Sequence, residues 1–591
     1  MRFESIKRDC TSRIGKLEIK GKEILTPSIL WYSSERIKPP LFSSFLLSLE
    51  ESDAISHSGS FFYPMPEKKG VSIPPSFVHP YAFPPELHKE EESWNREHAG
   101  EIQIISPKAV DEIHEDTTIY VLSNARELFS NPRNFIRAVV DVRNRIGYQK
   151  ALYAPGLGEP SHIAILSYFT IDIFDSIPLI EKARMGIYLF PEGGYSGENL
   201  EEMPCSCPAC REEERSFSSI LEHNYYAAFS ELKRVRNAIR NNELRNLVES
   251  RAASQPEIAS MLRIMDGEYY RFQEERCPVS GGRVICSPLS LKRSDIERFR
   301  RRVINRYVKP SSAKILLLLP CSAKKPYSYS KSHSAFRRAI NSCKNPEVVH
   351  EVIVTSPLGI VPMELEMIYP AAHYDISVTG EWSLDEREMV KKQLDLYVRK
   401  NEYDAVINHL PEEMAEFIDI GEKTCRGHPV SADSIENLSK ALDEKVMGYE
   451  KITKNARRIE NVKSIISYQF GGNILPEGCR VKGKYPNYKI FYRGKQLGMM
   501  VGSRGMVSLT IEGGEMLAEK GLYCVEIEDF VPHGSIFAIG VKDADREIRC
   551  GDEVVATHDG EVRAVGVAEM SGEEMVESSR GIAVKVRHHK K

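Results

Sequence analysis

Apolar residues follow two rhythms in the first half of this chain. From residue 1 to about 275, short unbroken apolar bursts alternate with stretches in which apolar positions recur every three or four residues. Thr118-Ile119-Tyr120-Val121-Leu122 is a burst and reads as a buried strand; Asn134-Phe135-Ile136-Arg137-Ala138-Val139-Val140 reads as an amphipathic helix. Such alternation predicts a parallel α/β sheet or barrel. The stretch from His57 to about residue 100 lacks either rhythm. It is rich in Pro, His and Glu, as in Ser72-Ile73-Pro74-Pro75-Ser76-Phe77, and reads as loop. From His223 to about residue 275 the pattern is helical. Glu231 to Arg240 gives an apolar stripe and a basic face, read as solvated surface, with a nucleic-acid contact as the alternative.

Arg276 to Pro288, with two cysteines and a Gly-Gly pair, marks a boundary. A second α/β domain is expected over 289–440, around the core strand Lys314-Ile315-Leu316-Leu317-Leu318-Leu319. A charged helical connector over about 435–460 leads to a small α+β domain at 455–513. The last stretch, 514–591, is strand-like and punctuated by Gly534, Gly540, Gly551, Gly560 and Gly566, which suggests a small β-barrel. The expected fold is α/β and multidomain.

Composition narrows the classes. The 591 residues carry 80 basic and 84 acidic side chains, net −4, which excludes a polycation coating nucleic acid non-specifically but not a local basic groove. The longest aliphatic run, Ile315 to Leu319, is far short of a membrane span, and Met1-Arg2-Phe3-Glu4-Ser5-Ile6-Lys7 has no apolar signal core. A cytoplasmic protein with no membrane partner is expected. Twelve cysteines fit, since three of them crowd into six residues instead of forming a spread disulfide framework.

That crowding carries chemistry. Cys205-Ser206-Cys207-Pro208-Ala209-Cys210 puts three thiols on one tight turn, and His223 follows thirteen residues later. Three soft sulfurs and one imidazole complete a closed tetrahedral Zn2+ shell with no open position, so the metal would be structural. Cys277 and Cys286 have no further pair near them and read as core.

Met203-Pro204-Cys205-Ser206-Cys207-Pro208-Ala209-Cys210 with His223-Asn224 resembles the zinc site of the archaeal tRNA-guanine transglycosylases. Gly156-Leu157-Gly158-Glu159-Pro160, Ile171-Asp172-Ile173-Phe174-Asp175-Ser176, Arg13-Ile14-Gly15-Lys16-Leu17 and Thr26-Pro27 fit the same family. The resemblance covers about residues 1–275 and implies a TIM-like (β/α)8 barrel with a zinc-bearing insertion. Asp175 follows an apolar strand, and a carboxylate at the C-terminal end of a barrel strand is a catalytic position; a turn-capping aspartate is the alternative. The family's other aspartate begins an Asp-Ser-Gly-Gly-Phe segment, where this chain has His57-Ser58-Gly59-Ser60-Phe61. The departure implies that base exchange is lost while deazaguanine binding at Asp175 survives.

A second constellation follows Leu319: Pro320-Cys321-Ser322-Ala323-Lys324-Lys325-Pro326-Tyr327-Ser328-Tyr329-Ser330-Lys331-Ser332-His333, then a helical segment from Ala335 to Ile340. Strand, polar loop and helix make the place where open α/β sheets bind ligands. Lys324, Lys325 and the helix N-terminus favour a Cys321 thiolate. A buried cysteine beside a solvated charge run is the alternative. Tyr327, Ser330 and His333 are donors able to orient a polar substrate, with His333 the candidate proton shuttle. Pro320, Cys321, Lys325, Pro326, Tyr327, Ser330 and His333 resemble position by position the signature of the archaeosine synthase family. Thr355-Ser356-Pro357-Leu358-Gly359-Ile360-Val361-Pro362 and Tyr369-Pro370-Ala371-Ala372-His373-Tyr374-Asp375 look like the same family. Glu364, Glu366 and Asp375 read as surface charges, with acid/base groups as the alternative. The C-terminal stretch resembles a PUA domain, with Arg587-His588-His589-Lys590-Lys591 adding charge for phosphates.

The resemblance implies a tRNA-modifying transferase acting on the nitrile of 7-cyano-7-deazaguanine in the tRNA D-loop. The amine donor would be free lysine, whose adduct a radical-SAM partner cleaves, or glutamine or ammonia. Cys321 either attacks the nitrile or, with Lys325, orients the donor, in the second domain or in the barrel. tRNA and a second copy of the chain, as a homodimer, are the expected partners. The rival functions are an active transglycosylase and a non-catalytic tRNA-binding subunit.

Overall fold

The computed structural model describes all residues except 20, 49–55, 58, 61–62, 65–71, 74–101, 109–112, 115, 212–214, 379 and 591. The chain forms two compact units, one of residues 1–277 with 577–581 and one of 278–576 with 582–591.

The first unit carries a parallel sheet of six strands in the order Ile102–Ile105, Ile119–Leu122, Ala151–Tyr153, Ile173–Asp175, Ser28–Ser33, Leu46–Ser48. The last of these in sequence pairs with the first, as a sheet curling back on itself requires. Six such strands, against the eight expected, are found among the described residues, and the two outer ones do not pair there. Ile119–Leu122 is buried throughout, as its apolar run demands. The next helix, Pro132–Ile146, starts where Asn131 accepts from the Asn134 amide at 3.1 Å, with Pro132 at the first helical position. It buries Phe135, Ile136, Val139 and Val142 on one face. The stretch read as loop contributes the short strands Ser56–His57 and Ser72–Ile73, which pair in parallel; the His57 side chain lies outside the described residues.

The helix Phe217–Asn241 contains the basic segment from Glu231 to Arg240. Lys233, Arg234 and Arg240 are exposed, as a solvated face should be. Arg236 is not part of that face. It donates to the carbonyls of Leu25 and Pro27, at 2.5 and 2.9 Å, and burial lowers its pKa to about 10.

The second unit is built on a sheet ordered Gly359–Pro362, Val349–Thr355, Ile315–Pro320, Ala405–Asn408, Glu422–Lys423, parallel except for the first. The strand Ile315–Pro320 is central. Leu316 and Leu318 join one hydrophobic cluster, whereas Ile315, Leu317 and Leu319 join another. With both faces covered, a period of two still requires every position to be apolar.

The helix Lys454–Phe470 leads into an antiparallel meander of Arg480–Lys484, Asn487–Tyr492, Lys495–Val501 and Met506–Leu509. A six-stranded mixed sheet ends the unit, from Cys524–Ile527 to Ile582–His589. Its pairings are interrupted by register shifts that bend the strands, one of them at Val565/Gly566. Gly566 is required there, since a Cβ would stand 2.3 Å from the Lys585 carbonyl. One continuous hydrophobic cluster runs from Val279 through the meander to Val584. Among the described residues no helix is long and apolar enough to cross a membrane.

Candidate active site

The central strand Ile315–Pro320 pairs with the next strand in sequence on one side and with Ala405–Asn408 on the other. Chain direction across the sheet therefore reverses at its C-terminal end, the crevice where open α/β sheets take ligands. Cys321 is the first residue beyond that strand. It lines a cavity of about 450 Å³ with Phe336, Trp382 and Met414 as apolar walls and Glu386 and Glu413 as carboxylates.

Pro320 lines the cavity with Cys321, whereas Lys325, Pro326, Tyr327, Ser330 and His333 do not. Lys325 lies with its Nζ 4.1 Å above the Tyr374 ring. The Tyr327 and Tyr374 hydroxyls are 2.6 Å apart, and Tyr374 lies 2.5 Å from the Thr355 Oγ1. The hydroxyls of Tyr327, Tyr374 and Thr355 form a chain, and Thr355 at its end draws the Cys321 pKa down. Ser330 caps the helix Lys331–Ser342 by accepting from the His333 amide at 3.1 Å. His333 is buried and donates from Nε2 to the Pro320 carbonyl at 3.0 Å, fixing the strand end that presents Cys321. Its Nδ1 has no hydrogen-bond partner. Burial lowers the ring's pKa to about 4, so it is a neutral imidazole at physiological pH.

The thiolate expected at Cys321 is not what the surroundings favour. Burial pushes the thiol above its ordinary value, and the Thr355 hydroxyl and the Lys325 charge pull it back only in part. Burial also lowers Lys325. The resting pair therefore shifts toward a neutral thiol and an amine that loses its proton more readily.

Glu364 and Glu366 are not surface charges. Glu364 is buried, takes the Tyr307 hydroxyl and lies 3.3 Å from the His350 Nε2; despite its desolvation, that pairing holds it at a pKa of about 2. Glu366 is buried too and accepts from the Ser328 amide at 2.8 Å and the Tyr485 hydroxyl at 2.6 Å, tying the signature loop to the meander. Asp375 does lie at the surface, paired with Arg283 at 2.5 Å. Thr355, Tyr374, Trp382 and Glu386 went without individual roles in the sequence. The stretches holding Thr355 and Tyr374 stood out only as motifs.

In the first unit, Asp175 ends its strand fully buried. Its carboxylate accepts from the Tyr153 hydroxyl at 2.8 Å, the Gly156 amide at 2.7 Å and the Ile177 amide at 2.9 Å. Burial raises its pKa and these three donors oppose the rise. Gly158 comes so close that a Cβ would stand 2.1 Å from the Asp175 carbonyl oxygen, which explains the glycine of the loop. The arrangement holds the loop 155–159 over the strand end.

Cys205, Cys207, Cys210 and His223 come together, their donor atoms all within 4.8 Å of one another. His223 Nδ1 lies 3.2 Å from the Cys210 sulfur and 3.8 Å from that of Cys207. Bonds of about 2.0–2.3 Å in a tetrahedral shell separate donors by about 3.5–3.8 Å, so the group fits a metal ion. His223 Nε2 donates to the Leu189 carbonyl at 3.0 Å, which leaves the Nδ1 lone pair facing the sulfurs. Leu189 belongs to the hairpin of Ile187–Phe190 and Gly193–Ser196, and Asn224 holds that hairpin too by accepting from the Leu189 amide at 2.8 Å.

Three family models match this chain. One described as queuine tRNA-ribosyltransferase covers residues 104–257, a domain of unknown function (DUF5591) covers 296–442, and a PUA domain covers 525–590. The archaeosine synthase subunit alpha of Methanosarcina acetivorans is 36% identical, over 100% of this chain and 99% of that protein. The archaeosine synthase of Haloferax volcanii is 37% identical, over 82% of this chain and 84% of its own length. A tRNA-guanine(15) transglycosylase of Methanothermobacter thermautotrophicus is 30% identical, over 77% and 68%. With a match that runs the length of both chains, this chain belongs to the archaeosine synthase family.

Proposed function

We propose that this protein modifies tRNA by adding an amine to the nitrile of 7-cyano-7-deazaguanine, with the Cys321 cavity as the reaction site. The observation that carries the reading is Cys321 at the sheet's switch point, opening onto a cavity large enough for a base and backed by Thr355, Tyr374 and Lys325. In the covalent route the thiol adds across the C≡N bond, its proton passing to nitrogen, and gives a thioimidate. The amine then attacks the same carbon, and the sulfur leaves as thiol. The net change is one C–N bond formed and one proton moved from amine to nitrile nitrogen, an amidine with no other product. In the alternative route Cys321 and Lys325 orient the donor. His333 serves through the strand end it fixes, and Tyr327 through the hydroxyl chain.

Free lysine is the favoured donor, because Glu386 and Glu413 on the cavity wall suit a cation better than neutral glutamine. A radical-SAM partner would then cleave the lysine adduct. Nucleoside masses from tRNA carrying the 7-cyano base, incubated with lysine, glutamine or ammonia, test this. A lysine-mass gain is expected; a direct amidine mass would reassign the donor, and base exchange or no change would defeat the reading. Asp175 is read as part of a deazaguanine-binding unit with no chemical step of its own.

The cysteine–histidine group is read as a structural zinc site that holds the turn 205–210 to the helix Phe217–Asn241. Cys207→Ser should lower bound zinc and the thermal midpoint together. Full metal occupancy in that variant would remove the assignment.

The C-terminal sheet is read as the tRNA anchor. Deleting it is a poor test, because buried Glu553 accepts from the Leu509 amide at 2.8 Å and from Arg587, and the core is continuous. Exposed Lys585 and Lys590 are better probes. Replacing both with alanine should weaken tRNA binding and reduce the steepness of its salt dependence by about one power of salt per lost phosphate contact. An unchanged slope would move the anchor elsewhere.

A further inference from the structure

A second cavity of about 250 Å³ lies in the second unit, walled by the helix Lys331–Ser342, the strand Val349–Thr355, the helix Lys454–Phe470 and the meander. Three buried charged groups that line it are already paired. Glu366 is bonded to Ser328 and Tyr485, Glu364 to Tyr307 and His350, and Arg457 to Asn461 and the Glu347 carbonyl at 2.9 and 2.8 Å. Arg337 and Glu351 also line the cavity, and neither side chain makes a hydrogen bond or ion pair among the described residues. Glu351 Oε2 is shielded from solvent without a partner. A sequestered acceptor with no donor is costly, and a guanidinium and a carboxylate facing one cavity ordinarily close on each other. These two stay apart.

We infer that this cavity binds a small free zwitterion of the α-amino-acid class, its carboxylate on Arg337 and its ammonium on Glu351. A simple anion would satisfy only Arg337 and a simple amine only Glu351; a zwitterion satisfies both. The volume, just below the usual range for ligand pockets, suits a ligand of about ten heavy atoms. The cavity is distinct from the one at Cys321, but Glu366 lines it and holds the Ser328 amide of the signature loop. Occupancy therefore bears on the loop that carries Cys321. The inference stands independently of the reaction proposed above.

The test is thermal unfolding of the full chain with each proteinogenic amino acid, and with the N-acetyl and methyl-ester forms of any that acts. At least one free amino acid should raise the midpoint, while both blocked forms fail. Glu351→Gln and Arg337→Gln should each raise the concentration for half-maximal shift about tenfold or more, which corresponds to about 1.4 kcal/mol. Cys321→Ala should keep the shift. The proposal is overturned if no amino acid stabilises the chain, if a blocked form works as well, or if both cavity variants keep the shift. Loss of the shift in Cys321→Ala also overturns it, since binding would then belong to the other cavity. The blocked-ligand arm needs no variant and so does not depend on how the substitutions fold.

Discussion

Replacing Cys321 with alanine should abolish amine addition to the nitrile-bearing tRNA, a loss of about three orders of magnitude or more if the sulfur is covalent. The sulfur stands at the C-terminal end of the central strand and opens onto the 450 Å³ cavity. The pH dependence separates the two roles. Burial raises the thiol, so at neutral pH only a small fraction is thiolate. A covalent mechanism should gain about tenfold in rate per pH unit until the thiol titrates. Lys325 is one of the groups holding the thiol down. Lys325→Ala should therefore push the thiol higher and displace the rise to higher pH, whereas Lys325→Arg should largely restore it. A few-fold loss in Cys321→Ala with a flat pH profile would reassign the cysteine to positioning the donor.

Asp172→Ala should cost the first unit about 3–5 kcal/mol of stability. Asp172 is buried and accepts from Arg13 at 2.9 and 2.8 Å, from Arg143 at 3.3 Å and from the Leu152 amide at 2.9 Å. Removing it leaves two buried guanidiniums without their carboxylate. Arg143 is already lowered to about 9, by burial first and by Arg13 next. The Asp172 backbone carbonyl also accepts from the Ser28 amide at 2.9 Å, so the cluster sits where three sheet strands meet. Denaturant unfolding should show the loss, and an unchanged midpoint would mean the pair is neutral within the fold. Asp175→Asn is the contrast. It should retain adduct formation and cost only about 1–3 kcal/mol, because its amide NH2 must face a backbone N–H that now finds no acceptor. If Asp175→Asn is inactive while Cys321→Ala is near wild type, the reaction lies in the first unit.

The sequence alone placed Cys321 at a strand end before a helix, because an unbroken apolar run followed by a polar loop and an amphipathic repeat encodes that local order. It placed the cysteine–histidine group for a similar reason: three of its four members lie within six residues, and a short turn leaves them few places to go. Tertiary structure decided what depends on segments far apart in the chain. Thr355 and Tyr374 reach Cys321 only because strand pairing brings distant loops to one sheet edge. Asp172 outweighs Asp175 for stability only because Arg13 and Arg143 converge on it. Glu364 and Glu366 looked like surface charges because a charge costs nothing in water, and only the packing shows that each is buried with partners. The Cys321 thiol followed the same logic. Lysines nearby in sequence argue for a thiolate, but the low-dielectric surroundings supplied by other segments push the proton back onto sulfur. Local pattern fixes where the chain turns; desolvation is a property of what the turns bring together.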